Sequence, residues 1–491
     1  MDYETVIGLE VHSQLNTDSK MFCSCMATYQ EMEPNTIICP VCIGMPGTLP
    51  VPNTAAIRHV IRTGLALGCE ISSESKFDRK NYPYPDLMKG YQISQMDKPI
   101  ALNGYLLVEG ASGVTKVRVN RVHLEEDVAK LMHKSTNDES YSLLDINRSG
   151  VPLMEIVSEP DLRSADQARD YLTSLRSILR YLDVSTANME EGSFRCDANI
   201  SIRPFGDTEL GPKVEVKNMN SFRAVHKALM FEQKRQINCK KNGERIVQET
   251  RGWADQDGTT FSQRSKENAH DYRYFPEPDI PPFHINESEV VELQKSLPEL
   301  PQARRNRFKE SYGLSGKEAE QLTLSKDMSD YFEQVLLQAS GDNDILNAIA
   351  KVISNWLLGE MTRLLNERGQ EISMVKITPV NLIELQSMVD SKILSSTMAK
   401  EVFERMFDTG MRPTEIVAKS GMQQISDEST LQKLVEEAIQ INEKAVEDFL
   451  NGKDTATRFL VGQVMKLARG KANPQLAEQL VVKELGKIKM E

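Results

Sequence analysis

The chain has 491 residues, 40 % of them hydrophobic and 26 % charged, which is enough apolar material for about three cores at roughly 100–200 residues per domain. A net charge of −12 is the wrong sign for holding nucleic acid by bulk electrostatics, and 6 % aromatics is too few for a surface of base-stacking platforms. No apolar run approaches the ~18 residues that cross a bilayer.

The N-terminus, MDYETVIGLEVH, is acidic and enters a strand-like pattern at once. It has neither a basic leader nor an Arg/Ser-rich presequence, so a cytoplasmic location is expected. Thr5–His12 reads as a strand. Side chains at i and i+2 share a face, which puts Glu10 and His12 together. Next comes Cys23-x-Cys25, thirteen residues, then Cys39-x-x-Cys42. Two short chelating pairs joined by a loop suit a closed tetrahedral zinc site with no place for water, a structural site. Four reduced, buried cysteines are the plainer alternative. The other three cysteines, Cys69, Cys196 and Cys239, are scattered. Seven in all is an odd count that fits a reduced compartment better than a disulfide framework.

Val117–Leu124 alternates like a half-buried strand, and Glu125-Glu-Asp127 follows it. Glu155 lies in the apolar run Pro152–Val157, and Asp197 precedes a strand at Ala198–Arg203 that Pro204 ends. A carboxylate inside an apolar strand is costly unless paired or metal-bound. With one imidazole, such carboxylates suit a hard cation such as magnesium or manganese. Taken singly, each also reads as a strand-edge acid, and His12 as a satisfied core histidine. Between these strands Ser164 caps a helix, with Gln167 three residues on and a stripe of Leu172, Leu175, Leu179 and Leu182. There is no G-x-x-x-x-G-K-[ST] and no strand-linked G-x-G-x-x-G, so bound ATP would need metal and scattered bases. Arg79, Lys80, Lys89, Arg148, Arg195, Lys217 and Arg273 are the candidates. As single residues they read better as solvated loop charges.

The Pro-rich stretch Phe275–Phe283 is expected to resist both helix and sheet. After about Glu289 the pattern becomes amphipathic and helical, interrupted at Pro379, Pro413 and 421–427. From Lys453 to Glu491 eight bases face four acids, a basic tail on an acidic body. The fold class expected is α+β, then all-α, with domains at 1–293, 294–410 and 411–491.

Several segments together resemble one family. IGLEVHSQL, FDRKNYPYPDLMKGYQISQ, HLEEDVAK, DINRSGVPLMEIVSEPD, EEGSFRCDANIS, EVKNMNSF and DYRYFPEPD are similar, in order, to signature segments of the GatB/GatE family. The tail FLVGQVMKLARGKANPQ resembles its YqeY-like C-terminal domain. The chain has no room for the inserted domain of the GatE branch, so it resembles the GatB branch. The resemblance implies a cradle-type catalytic domain carrying the zinc site, a helical domain and a small helical tail. It implies a ligase subunit working with a glutaminase, GatA, and with GatC in a heterotrimer. That complex converts Glu-tRNA(Gln) or Asp-tRNA(Asn) to Gln-tRNA(Gln) or Asn-tRNA(Asn). The subunit phosphorylates the aminoacyl carboxylate with ATP and Mg2+ and passes it ammonia. Glu10, His12, Glu125, Glu155 and Asp197 are then the magnesium candidates, with Glu10, His12 and Glu125 catalytic. Lys80, Arg195, Lys217 and Arg273 would contact ATP or the tRNA end. Cys23, Cys25, Cys39 and Cys42 would hold structural Zn2+. Arg458, Lys466, Arg469, Lys471 and Asn473 would meet the tRNA body. Two other classes stay open: a self-contained metal-dependent hydrolase, and a non-catalytic zinc-bearing RNA-binding module.

Overall fold

The computed structural model describes residues 2–110, 113–135, 139–263, 272–339, 343–420, 428–450, 453, 455–468, 472 and 474–488. It divides into two compact units, Met1–Pro301 and Gln302–Glu491. The first is α+β and the second is helical among its described residues.

The first unit is built on a nine-stranded sheet. In chain order its strands are β1 (Tyr3–Gln14), β2 (Glu70–Ile71), β3 (Ala101–Gly110), β4 (Gly113–Glu126), β5 (Pro152–Ser158), β6 (Phe194–Pro204), β7 (Val214–Lys217), β8 (Glu249–Ala254) and β9 (Thr259–Ser262). They lie side by side as β9-β8-β7-β6-β1-β5-β4-β3-β2. Every pair is antiparallel except β7–β8, which the helix Phe222–Lys241 joins by a crossover. The strand periodicity expected from sequence is present, in strands that run a few residues longer.

One face of the sheet is apolar. Ile7, Leu9 and Val11 of β1, Met154 and Ile156 of β5, and Cys196, Ala198 and Ile200 of β6 enter one core. Helices α1 (Thr54–Ala66), α2 (Ala165–Tyr181) and α3 (Phe222–Lys241) supply the other half of that core. Ser164 caps α2 by accepting from the Gln167 amide. The Gln167 side chain accepts from the Arg163 amide, one residue before the cap, so the box is offset. The opposite face carries the charges.

In β4 the facing changes partway. Val117 and Val119 enter the core, and so do Val122 and Leu124. The parity shift is a β-bulge: Val119 opposes Ser158, Arg121 opposes Val157, and Asn120 is left over. A bulge re-aims every following side chain. Here it turns Arg121, His123 and Glu125 to the charged face.

A three-stranded sheet of Phe275–Pro276, Asp78–Asn81 and Tyr91–Ser94 accompanies the main one. The Pro-rich stretch thus differs from expectation at its ends. Phe275–Pro276 pairs with Arg79 and Asp78, and Phe283–His284 pairs with Ser75 and Glu74. Each segment is two residues long, which spares proline from donating within a longer ladder.

In the second unit, residues from Phe308 to Val417 form one core and residues from Leu431 to Leu485 form another. Pro379 and Pro413 begin helices, at the first turn where a missing N–H costs nothing. The expected break at 421–427 lies outside the described residues. No described helix is long and apolar enough to cross a membrane.

Candidate functional site

Strand register brings the charged face together in rows. Across one row lie Arg195 of β6, His12 of β1, Glu155 of β5 and His123 of β4. The next row carries Lys217, Asp197, Glu10, Val157 and Arg121; the pairings Asp197–Glu10 and Glu10–Val157 follow directly from the ladder. Sequence separations of more than a hundred residues thus become neighbours about 5 Å apart.

Ligand atoms of His12, Glu125 and Glu155 lie within 4.8 Å of one another. His12 Nε2 is 3.4 Å from Glu155 and 3.7 Å from Glu125. Glu125 also accepts from the Ser94 hydroxyl at 3.1 Å. Burial works against charge on His12, but the hydrogen bond and charge of Glu155, with Glu125 and Asp197, push it up to about 9. Glu155 is the drier of the pair, its side chain 8 % exposed against 20 % for His12. Its carboxyl is held well below the usual range despite burial, by His123 and His12. Two buried carboxylates and an imidazole form a donor set for a small hard cation. Protonated His12 does for the two carboxylates what such a cation would do.

Glu10 and Asp197 flank this group. The Glu10 carboxylate accepts from Asn199 at 2.9 Å. Asp197 pairs with Lys217 at 3.1 Å, and Lys217 also meets Glu215 at 3.1 Å. Lys80 approaches from the small sheet. Burial opposes its charge, yet Glu125, Tyr274 and Glu155 raise its pKa, and its ammonium lies 5.2 Å from the Tyr272 ring centroid. Arg195 contacts Asp127 at 3.0 Å. Arg273 is exposed, with φ +45°, and its carbonyl accepts from Asn81.

The remaining bases have structural partners. Arg79 donates twice to Glu277. Lys89 pairs with Glu126. Arg148 donates to the Val128 and Ala129 carbonyls.

Two residues were not singled out by sequence reasoning. His123 is 3 % exposed, with Nε2 3.3 Å from Glu155 and 3.9 Å from Glu125. Its i+2 spacing from Glu125 was the available signal. Asp127 is fully buried and also accepts from Gln14 at 2.8 Å. Burial alone would raise its carboxyl, but Arg195, Arg148 and Gln14 bring it below the usual range.

The four cysteines form a second group, all sulfurs within 4.8 Å of one another. Cys42 is buried and accepts from the Cys39 amide at 3.0 Å. The hydrogen bond from Cys23 and then this amide hold the Cys42 thiol below its usual range, against burial. Burial pushes Cys25 up to about 11. Gly44, at φ +70°, lets the turn after Cys42 close with its Cα side against Lys89. Four converging sulfurs fit a metal that prefers thiolates.

In the tail, Arg458 and Lys466 are exposed on the helix Thr455–Leu467. Arg469, Lys471 and Asn473 lie outside the described residues.

The profile of the GatB/GatE catalytic domain matches residues 5–291, and that of the GatB domain matches residues 330–485. The B subunit of the aspartyl/glutamyl-tRNA(Asn/Gln) amidotransferase of Dehalococcoides mccartyi is 53 % identical over 486 residues, 98 % of this chain and 99 % of that one. The proteins of the same name from Caldanaerobacter subterraneus and Thermodesulfovibrio yellowstonii are 52 % and 50 % identical. Those two alignments cover 99 % of this chain and all of each relative. On this full-length similarity and both profile matches, the chain belongs to the GatB/GatE family.

Proposed function

We propose that this chain is the tRNA-binding, carboxylate-activating subunit of an ATP-dependent, glutamine-hydrolysing aminoacyl-tRNA amidotransferase. The observation that carries the reading is the convergence of His12, Glu125 and Glu155 on one sheet face with Lys80 beside them. The relatives' shared name supplies the substrate class: Glu-tRNA(Gln), Asp-tRNA(Asn) or both.

His12, Glu125 and Glu155 would hold Mg2+, with Glu10 and Asp197 at its margin. Bound there, magnesium supplies the positive charge that lets a carboxylate and a triphosphate meet. Lys80, Arg195, Lys217 and Arg273 offer further positive charge to phosphate or to the tRNA end. The aminoacyl carboxylate attacks the γ-phosphorus of ATP, the bridging P–O bond breaks, and ADP leaves. Ammonia from a GatA-type glutaminase then adds to the acyl carbon, loses a proton, and inorganic phosphate departs. A GatC-type chain completes the heterotrimer, which works beside the translation machinery in the cytoplasm.

Residues 1–293 would form the catalytic domain, 294–410 a helical domain and 411–491 the tRNA-binding tail. The cysteine quartet would hold structural Zn2+, since four sulfurs leave no open position.

The test is amide formation on mischarged tRNA with partner subunits, ATP and Mg2+. Glu125→Ala should lower the rate by roughly 100-fold or more, about 3 kcal/mol of transition-state stabilisation, while tRNA affinity stays within twofold. Turnover of substrate without tRNA would instead favour a self-contained hydrolase. Full activity in the variant would favour a non-catalytic module.

A further inference from the structure

Lys20 is buried to 1 % exposure, among the largest fully buried side chains in the protein. Its ammonium donates to the Ile37 carbonyl at 2.9 Å, and no carboxylate among the described residues pairs with it. A lysine taken out of water without an opposite charge is costly. The ammonium is placed beside the cysteine quartet by its one acceptor, since Ile37 stands two residues before Cys39 in the second cysteine loop.

The backbone ties the same two features together. The Lys20 amide donates to the Cys25 carbonyl at 2.8 Å, and the next amide, of Met21, donates to Gly150. A Cβ on Gly150 would lie 3.5 Å from Lys20 Cδ and 3.8 Å from Cys42 Cβ. The lysine stem therefore runs beside Cys42, separated from it by a residue with no side chain. Asn53, which caps α1, donates to the Lys20 carbonyl. The Lys20 backbone thus joins the first cysteine loop to the cap of the first helix, while its ammonium reaches the second cysteine loop at Ile37.

A divalent ion with four thiolates leaves two negative charges in excess. We infer that Lys20 is a positioning residue for the metal site: its buried ammonium offsets one of the two excess negative charges and sets how tightly the metal is held. The inference rests on the reading of the quartet as a zinc site. It makes charge balance mutual: the lysine is tolerated in the interior because the thiolates are there, and the thiolates because of the lysine.

The experiment uses the purified full chain loaded with zinc and titrated with a chromophoric chelator. Wild type is compared with Lys20→Met, Lys20→Gln and Lys20→Arg, and far-UV circular dichroism checks each fold. Lys20→Met keeps volume without charge, Lys20→Gln keeps a polar end, and Lys20→Arg keeps the charge. The neutral variants should lose zinc affinity by roughly 10- to 100-fold, as removal of an outer-shell partner does, and Lys20→Arg should stay within about threefold. The thiolate-to-metal charge-transfer band of the cobalt-loaded chain should shift in the neutral variants and not in Lys20→Arg. Either neutral variant, folded and with wild-type zinc affinity, overturns the inference. If neither neutral variant folds while Lys20→Arg folds with zinc bound, the charge requirement stands. If Lys20→Arg also fails to fold, the role is packing and the inference is overturned. Wild type that takes up no zinc refutes the zinc reading itself, separately from any result on Lys20.

Discussion

His123 makes the residue-scale case. Its imidazole lies against Glu155 at 3.3 Å, and Glu155 lies against His12 at 3.4 Å. The middle carboxylate is thus held from both sides on a dry surface. Replacing His123 with leucine leaves Glu155 one partner fewer and a freer rotamer. The apparent Mg2+ affinity, read from the magnesium dependence of amidation, should fall by roughly 10- to 100-fold. Asp127 gives a stability prediction. It is 2 % exposed and pairs with Arg195 at 3.0 Å. Asp127→Asn replaces a charge-assisted bond to a half-exposed Arg195 and should destabilise the first unit by about 1–2 kcal/mol, measured by urea unfolding followed by intrinsic fluorescence. Glu10 and His12 were legible as a same-face pair because a strand has period two. His123 shares its face with Glu125 by the same rule, but its contact with Glu155 comes from strand pairing, which sequence spacing does not contain. Lys20 was invisible for a similar reason: nothing local marks a lysine as buried.

At the scale of elements, the bulge at Asn120 decides the site. Without it, the valine parity of the first half of β4 would continue, and His123 and Glu125 would point into the core. The strand was legible from its alternation, and the switch of apolar parity from Val117 and Val119 to Val122 and Leu124 marks the bulge, whose cross-strand partners only the pairing supplies. The α2 helix was legible from its cap and leucine stripe, and its first-turn geometry differed only in where Gln167 reaches. The cysteine loops were legible because ligand spacing is local. They also yield a prediction. The segment between Cys25 and Cys39 has one isolated bridge, Met26 to Ser19, and otherwise turns and bends, so metal should carry much of its order. Zinc removal by chelation should open residues 26–38 to limited proteolysis by at least tenfold in rate. The far-UV dichroism of the sheet and helices should change little.

At the scale of the whole molecule, an acidic chain of net charge −12 must localise its contacts with RNA. The tail was legible as basic and helical. Helix Glu428–Ile441 shares one core with helices Thr455–Leu467 and Pro474–Ile488. A cut near residue 452 would split that core, so the informative deletion begins after Ser420. It should weaken tRNA binding by roughly tenfold or more and flatten its salt dependence, with ATP affinity unchanged. Equal tRNA affinity after deletion would remove the tail from the account. The central claim is that the acidic face activates a carboxylate by phosphorylation, and oxygen transfer tests it most directly. Mischarged tRNA carrying 18O in the side-chain carboxylate is turned over with ATP, Mg2+ and the partner subunits. One labelled oxygen should appear in the inorganic phosphate, and Glu125→Ala should abolish that transfer. Unlabelled phosphate released in step with amide formation would contradict the account.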